Sequence, residues 1–535
     1  MQLSSFSIVK LTGIVMAAPD FRLAPSANTD DSTHFDDVGA IRRTITPEIV
    51  IALCGPMGTP LHEVAETFQS LLTGADYGYH EVKVIKLSDE IRKHSQLPEG
   101  RSILKLIEAG NELRHQYGNE ILARFAIRQI TLAREAAQKQ AEDHHEPDLF
   151  GPPEGAIVPK VTPRYCHIID SIKHIDELRL LRSVYGDMLH VVGVYSPIDL
   201  RITRLERIKG PEDEVHALID RDSGEEVDYG QRVEDTFPQA DFFLRVEKTT
   251  DTHRKGRVKR FLDLMLGTVI ATPTLNERAM YAAFSAARNS ACLSRQVGAA
   301  ITSAEGEILA TGWNDVPKAF GGLYQTEVYG SSPDEDRRCW NLNGGLCSND
   351  QEKKVISGVI VDLLVKEGLI AADKRDAAFT VIRKKSQLKS LIEFSRAVHA
   401  EMHALLNAGA TDGGRIRDGK LFVTTYPCHS CARHLVAAGV REVYFLEPYR
   451  KSLATKLHED AITENESDTD KVRVMPFDGV APSRFLRFFS AHPSGRKDGN
   501  GKMYSRDAHP VASITMEALP TLEALVVEAL NSRGI

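Results

Sequence analysis

No run of about 18 consecutive apolar residues occurs in the 535-residue sequence, so no helix that crosses a membrane is expected. Positive charge is scarce too. Lys and Arg number 66 against 74 Asp and Glu, a formal net charge of −8, whereas nucleic-acid binders usually present a basic face. Nucleic acid is therefore not expected as the main partner. Cysteine is rare: seven thiols, an odd number, are spread over the whole chain. That excludes a disulfide framework and points to a reducing, cytoplasmic setting. A secretory leader is not expected either. The opening segment, MQLSSFSIVKLTGIVMAAPD, carries a mildly apolar run, but Ser, Thr and Lys10 interrupt it and its start has no positive charge.

What is present reads as a soluble α/β protein. At 42% hydrophobic and 26% charged residues the composition is ordinary, and the length calls for more than one core. Residues 1–45 are polar and punctuated, and read as a disordered lead-in. Residues 46–250 alternate strands and helices. IVIAL is a continuous apolar run suited to a buried parallel strand, and HEVKVIKLS, RYCHIID and MLHVVGVYS are further strands. The alternation predicts a doubly wound parallel sheet. A charged stretch without clear periodicity sets a linker at 251–270. In residues 271–490 a helix precedes a hairpin, QVGAAITSAEGEILATGWN, with Glu305-Gly306 in the turn. An irregular insert over 318–352 and further helices follow, and then the strands KLFVTTY and EVYFLEP. Residues 491–535 form a C-terminal extension that ends in a helix.

Two of the scarce cysteines, Cys428 and Cys431, stand three apart in YPCHSC, directly after Pro427. Proline suits the first turn of a helix because it lacks only a donor that the turn would not use. Thiols in that turn share one face, and free N–H groups there favour thiolate. Taken alone, C-x-x-C fits a redox pair or half of a metal site. The other half stands upstream as His399-Ala400-Glu401, again at a helix start. One imidazole and two thiolates leave a zinc ion's fourth position for water. A carboxylate in the same first turn can move that water's proton. His403 lies four residues beyond His399, but Glu401 is misplaced for a metalloprotease pair, so His403 reads as structural, as do His429 and His434.

H-A-E followed by P-C-H-S-C resembles the zinc cytidine deaminase superfamily. The resemblance implies an α/β/α sandwich with Zn²⁺ held by His399, Cys428 and Cys431, and with Glu401 as general acid/base. RNSACLSRQVGAAITSAEGEILATGWNDVP and LEPYRKS are similar to deoxycytidylate deaminases. On that likeness Asn314 meets the sugar hydroxyl, Arg295 lies near phosphate, and Ala400 and Tyr449 complete the substrate site. For Arg295 a surface arginine, and for Tyr449 a core-closing ring, weigh about equally. Cys339 and Cys347 lack C-x-x-C spacing; a second zinc and merely loop-packed thiols both remain open, the latter favoured.

IALCGPMGTPLHEV has the strand–turn–helix order of a phosphate-binding loop. Gly55, Gly58 and Thr59 are present, but the lysine of the full motif is missing and Pro60 starts the helix. Asp170 ends a strand, and Arg201, Arg204 and Arg207 stand where nucleotide-kinase-like proteins carry a lid. At three-residue spacing they equally suit a solvated helix face. A kinase-like fold that senses a regulatory nucleotide is the expectation, with a purely architectural domain next. The pairing resembles bacterial anti-phage dCTP deaminases. It implies conversion of free dCTP and dCMP to dUTP and dUMP in a homo-oligomer, as antiviral defence. A polynucleotide cytosine deaminase and a non-catalytic sensor with structural zinc are the alternatives.

Overall fold

The first strand, β1 (Ile49–Cys54), is apolar at every position because both of its faces are covered. Ile49, Ile51 and Leu53 face one hydrophobic cluster, and Val50, Ala52 and Cys54 face the other. The computed structural model describes residues 46–96, 103–143, 164–209, 215, 232–246, 251–326, 336–342, 344–448, 452–491, 496–497, 501–503, 508, 510 and 519–534. The lead-in expected over 1–45 and Tyr449 lie outside these residues.

Helix α1 (Leu61–Leu72) follows β1. Next come β2 (Glu81–Lys86), α2 (Leu87–His94), α3 (Ile103–Tyr117), α4 (Ile121–Asp143), β3 (Tyr165–Asp170), α5 (Ile175–Tyr185), β4 (Leu189–Tyr195), α6 (Ile198–Lys209) and β5 (Phe242–Arg245). The strands order β2-β3-β1-β4-β5 and are all parallel. Helices cover both faces, as the doubly wound reading requires. The strand read from HEVKVIKLS is shorter than expected, because Leu87 already begins α2.

The stretch read as a linker is a helix, α7 (Asp251–Met265). Val258, Phe261, Leu262 and Met265 stand at i, i+3, i+4 and i+7, the spacing of one buried helix face, and all are buried against the first sheet. Burial of each such side chain contributes about 1.5–3 kcal/mol, enough to hold a helix whose remaining residues are mostly charged.

The second sheet is built from β6 (Gly298–Thr302), β7 (Ile308–Trp313), β8 (Lys420–Thr425), β9 (Glu442–Glu447), β10 (Ile462–Thr463) and β11 (Val472–Pro476), in the order β10-β11-β9-β8-β6-β7. The β6–β7 hairpin and the β6–β8 pair are antiparallel; the rest is parallel. Helix α8 (Leu275–Ala287) covers one face. Its Thr274 and Glu277 form a capping box that fixes the helix start. The irregular stretch expected over 318–352 runs directly into the first of the further helices, α9 (Ser348–Lys366), which α10 (Arg375–Lys385) follows, so that all of it forms one larger insert between β7 and α11. Helices α11 (Ala400–Asp412) and α12 (His429–Ala437) cover the other face.

The two sheets share a core. Ala279 and Met280 of α8 and Phe422 of β8 belong to the same cluster as Val50 and Phe243. Strand β12 (Gly479–Val480), from the C-terminal half, pairs antiparallel with β5 and extends the first sheet. Buried Glu277 ties the seam: it pairs with Arg260 of α7 at 2.6 Å and accepts from Val480 N–H at 3.0 Å. The last helix, α13 (Leu519–Asn531), buries Leu519, Val526 and Leu530 in the shared core, and its Glu523 pairs with buried Arg134 of α4.

Candidate metal centre and active site

The second sheet carries its chemistry at the ends of two helices. β8 runs out at Thr425; Tyr426 still donates its N–H to Glu447 at 2.9 Å, and Pro427 turns the chain into α12. Cys428 caps that helix in an extended conformation, and its Sγ accepts the Cys431 N–H at 3.4 Å. One orphan donor of the first turn is thereby satisfied by sulfur. His399 holds the same extended N-cap position on α11, with φ −73° and ψ 153°, but its side chain makes no capping bond.

What brings α11 down onto the hairpin is a glycine. A Cβ on Gly312 would stand 2.3 Å from Ala404 N and 2.5 Å from Ala400 O. Only glycine lets β7 approach that closely. His403 secures the contact: the Trp313 N–H donates to its Nδ1 at 3.2 Å, and the two rings meet edge to face at 4.7 Å. The structural reading of His403 is its observed role. His429 faces Glu393 at 3.6 Å and His434 faces Ser430 O at 2.6 Å, so neither joins the triad.

The sulfurs of Cys428 and Cys431 each lie 3.4 Å from His399 Nδ1. All three donor atoms fall within 4.8 Å of one another. Hydrogen bonding from Cys431, together with the neighbouring His399, holds the Cys428 thiol down to about 4, and the bond to Cys428 lifts His399 to about 9. The same pairing, with burial, pushes Cys431 up. One nitrogen and two sulfurs, a thiolate already favoured among them, suit a borderline-soft dication. The residues fit Zn²⁺.

Glu401 is 4% exposed and stays outside the donor triad. Burial pushes its carboxyl above the ordinary range, against the pull of the His399 charge. His399, Glu401 and Cys428 line a cavity of about 430 Å³, with Arg295, Asn314 and Ala400 from the set anticipated in sequence. Asn314 is already engaged: its Oδ1 accepts from Val297 N–H at 2.7 Å and its Nδ2 donates to Arg295 O at 2.8 Å. It braces the turn carrying Arg295, which is half exposed and 3.4 Å from Glu447. Sequence reasoning missed Lys353, Lys389 and Glu234, which line the same cavity from the insert and from the first half of the chain. No local motif marks them. Cys292, Cys339 and Cys347 gather around an adjoining cavity of about 20 Å³. Among the described residues only His399, Cys428 and Cys431 converge as a metal-ligand group.

At the first sheet's corner, Gly55 lets β4 approach, since a Cβ would lie 2.4 Å from Val194 O, and Gly58 has φ +82°. Lys173 Nζ donates to Gly55 O at 2.9 Å, and Arg201 Nε to Met57 O at 2.7 Å. The Thr59 hydroxyl is buried without a hydrogen-bond partner among the described residues. Register places Asp170 opposite Leu53, beside this turn. It lies 3.6 Å from His62, and burial pushes its carboxyl up. Arg204 pairs with Glu63 at 3.4 Å, and Arg207 is exposed.

Residues 273–447 match the family model "Cytidine and deoxycytidylate deaminase zinc-binding region". The match supports the deaminase superfamily for this part of the chain, and its cofactor is Zn²⁺. ComE operon protein 2 of Bacillus subtilis (strain 168) is 35% identical over 86 residues, 15% of this chain and 43% of its own length. The deoxycytidylate deaminase of Enterobacteria phage T4 is 25% identical over 170 residues, 32% of this chain and 76% of its own. The match thus spans less than half of the Bacillus protein. A structure of the dCMP deaminase from the cyanophage S-TIM5 in complex with dCMP and dUMP is 21% identical, covers 39% of this chain and 99% of its own, and has a TM-score of 0.23. A likeness at that score carries no argument.

Proposed function

We propose that the protein hydrolytically deaminates free deoxycytidine nucleotides, dCTP to dUTP and dCMP to dUMP, with release of ammonia. The observation that carries this reading is Glu401, a buried carboxylate outside the ligand set that opens on the same cavity as the His399–Cys428–Cys431 triad. A purely structural zinc site has no use for such a group. The deoxycytidylate deaminase of phage T4, similar over 76% of its own length, supports the substrate class.

His399, Cys428 and Cys431 hold Zn²⁺, which when bound supplies Lewis acidity toward a water molecule. Glu401 takes the proton from that water as oxygen adds to C4 of cytosine. It delivers that proton to N3, then takes the second proton from the new C4 hydroxyl and delivers it to the departing amino group. Water enters and ammonia leaves, so the carboxylate ends as it began. The raised Glu401 pKa suits a group that must both accept and return a proton. Asn314 holds the Arg295 turn in place and keeps one amide hydrogen for the sugar, and the backbone of Ala400 borders the base.

In this reading residues 46–250 form a regulatory nucleotide domain and 271–490 the deaminase, in a cytoplasmic homo-oligomer. The missing motif lysine after Gly58 favours a nucleotide effector over a kinase, and the buried Thr59 hydroxyl, without a partner among the described residues, is left to meet it. Depletion of dCTP as anti-phage defence rests on the pairing of these two halves. Incubation of the zinc-loaded protein with dCTP, dCMP, CTP, cytidine and single-stranded DNA tests the reading by uracil formation. Conversion confined to the deoxynucleotides supports it. Turnover of single-stranded DNA alone points to a polynucleotide deaminase, and no turnover of any substrate to a sensor.

A further inference from the structure

Lysine is rarely buried unless paired. Lys353, on α9 of the insert, is 5% exposed and lines the catalytic cavity. Its Nζ donates to a backbone carbonyl, Lys389 O, at 3.0 Å. An ammonium has three donors, and no described carboxylate forms an ion pair with this one. The acids whose charges reach it are committed elsewhere: Asp350 to Arg383 at 2.7 Å and Glu393 to His429 at 3.6 Å. Burial lowers the Lys353 pKa, the mark of a cation short of counter-charge.

One turn earlier on the same helix, Asn349 also lines the cavity. Its Nδ2 donates to Leu391 O at 3.1 Å, while its Oδ1 is buried and has no partner among the described residues. These two bonds clip the chain around Lys389 and Leu391 onto α9 and fix the cavity wall. Lys389 and Arg295 are exposed and line the same cavity, so a buried cation is backed by two at the rim, of which Arg295 also faces Glu447 at 3.4 Å. The cavity's acids are Glu234 and Glu401, and the second is assigned to proton transfer. A ligand that carries several negative charges matches this distribution.

We propose that Lys353, with Lys389 and Arg295 at the rim, receives the phosphate chain of the substrate, so that the inserted helix α9 selects nucleotides over nucleosides. Three cations suit a polyphosphate better than a single phosphate group, which favours dCTP over dCMP. The identity of the base rests on the deamination reading; the anion site does not.

The test uses the zinc-loaded full chain. kcat/KM is measured for dCTP, dCMP and deoxycytidine in the wild type and in the Lys353→Gln, Lys353→Arg and Lys389→Gln variants. Loss of a charge-assisted contact should lower the dCTP-to-deoxycytidine ratio of kcat/KM by roughly tenfold or more in Lys353→Gln. Lys353→Arg should retain most of the ratio, and Lys389→Gln should lower it less. An equal fall for all three substrates would mean that Lys353 only supports the wall, and the proposal fails. If Lys353→Gln does not fold, exposed Lys389 decides, and an unaltered ratio in Lys389→Gln overturns the proposal. If the wild type deaminates none of the three, the deamination reading falls by itself. Equilibrium binding of dCTP and of inorganic tripolyphosphate then judges the anion site. Weaker binding of both in Lys353→Gln sustains it, and unchanged binding of both overturns it. Weakening for tripolyphosphate alone, with dCTP unaffected, would place the anion site apart from substrate and also overturn the proposal.

Discussion

Two strand–turn–helix corners share a backbone plan and differ in what occupies them. In one, β1 turns through Gly55 and Gly58 into α1; in the other, β8 turns through Pro427 into α12. Both lie where a central parallel strand ends, the usual place for a ligand crevice in an open α/β sheet. At the first, the turn's carbonyls are bound by the chain's own cations, Lys173 and Arg201, and Leu61 opens the helix. At the second, the helix cap is a thiol, and the space in front of it is a cavity with a buried acid. The same geometry is thus tied down by side chains in one half and left open for chemistry in the other.

The widest gap between the corners should appear in catalysis. Glu401→Gln keeps the side chain's shape and the three zinc donors, so zinc content should hold while uracil formation falls by roughly 10²–10⁴-fold. A variant that retains both zinc and full activity would break the mechanism. Removal of a ligand should act on the metal itself. Cys431→Ser should leave the purified protein nearly free of zinc by elemental analysis, and chelation of the wild type should abolish activity until Zn²⁺ is restored.

The first sheet should respond to pH through stability. Burial drives His190 on β4 from the usual 6.5 to about 4. Below pH 6.5 the unfolded chain therefore binds more protons than the native one at this site. The contribution of His190 is complete above 6.5 and is lost as pH falls toward 4, up to about 3 kcal/mol in all. Urea unfolding at pH 7 and 4.5 should show a shallower acid loss in His190→Leu than in the wild type.

A packing change can also couple the hairpin to the helix that carries Glu401. Gly312→Ala pushes a methyl into the α11 backbone, which should cost about 1–3 kcal/mol in thermal unfolding and lower activity by displacing His399 and Glu401. The smallest effect belongs to the first corner. Thr59→Val replaces an unpartnered buried hydroxyl by a methyl of similar shape, so unfolding should shift by no more than ~1 kcal/mol, toward greater stability. A large loss would reveal a partner for that hydroxyl.

The legible parts of this protein are those whose physics is local. The metal donors are separated by a helical turn or less within each half-motif, and both halves sit at helix starts. The residue pattern therefore carried the site's chemistry. The apolar runs of β1, β3 and β4 were equally plain. Helix α7 was missed although its signal existed: Val258, Phe261, Leu262 and Met265 keep helical spacing within a field of Lys and Arg. Strand β12 left no such trace. It is two residues long, and its pairing with β5 joins chain segments more than two hundred residues apart. Lys353 was invisible for the same reason, because its meaning depends on the insert folding back over the cavity.

The sequence alone determined the donor set, the acid beside it and the parallel sheet of the first half, because these follow from residue type at short spacing. Tertiary structure decided the rest. It welded the two halves through one shared core and closed the first corner with Lys173 and Arg201. It also buried Lys353 in the cavity beside the metal site with no ion-paired acid among the described residues. Burial and charge balance belong to a place in space, and only the folded chain brings distant residues to the same place.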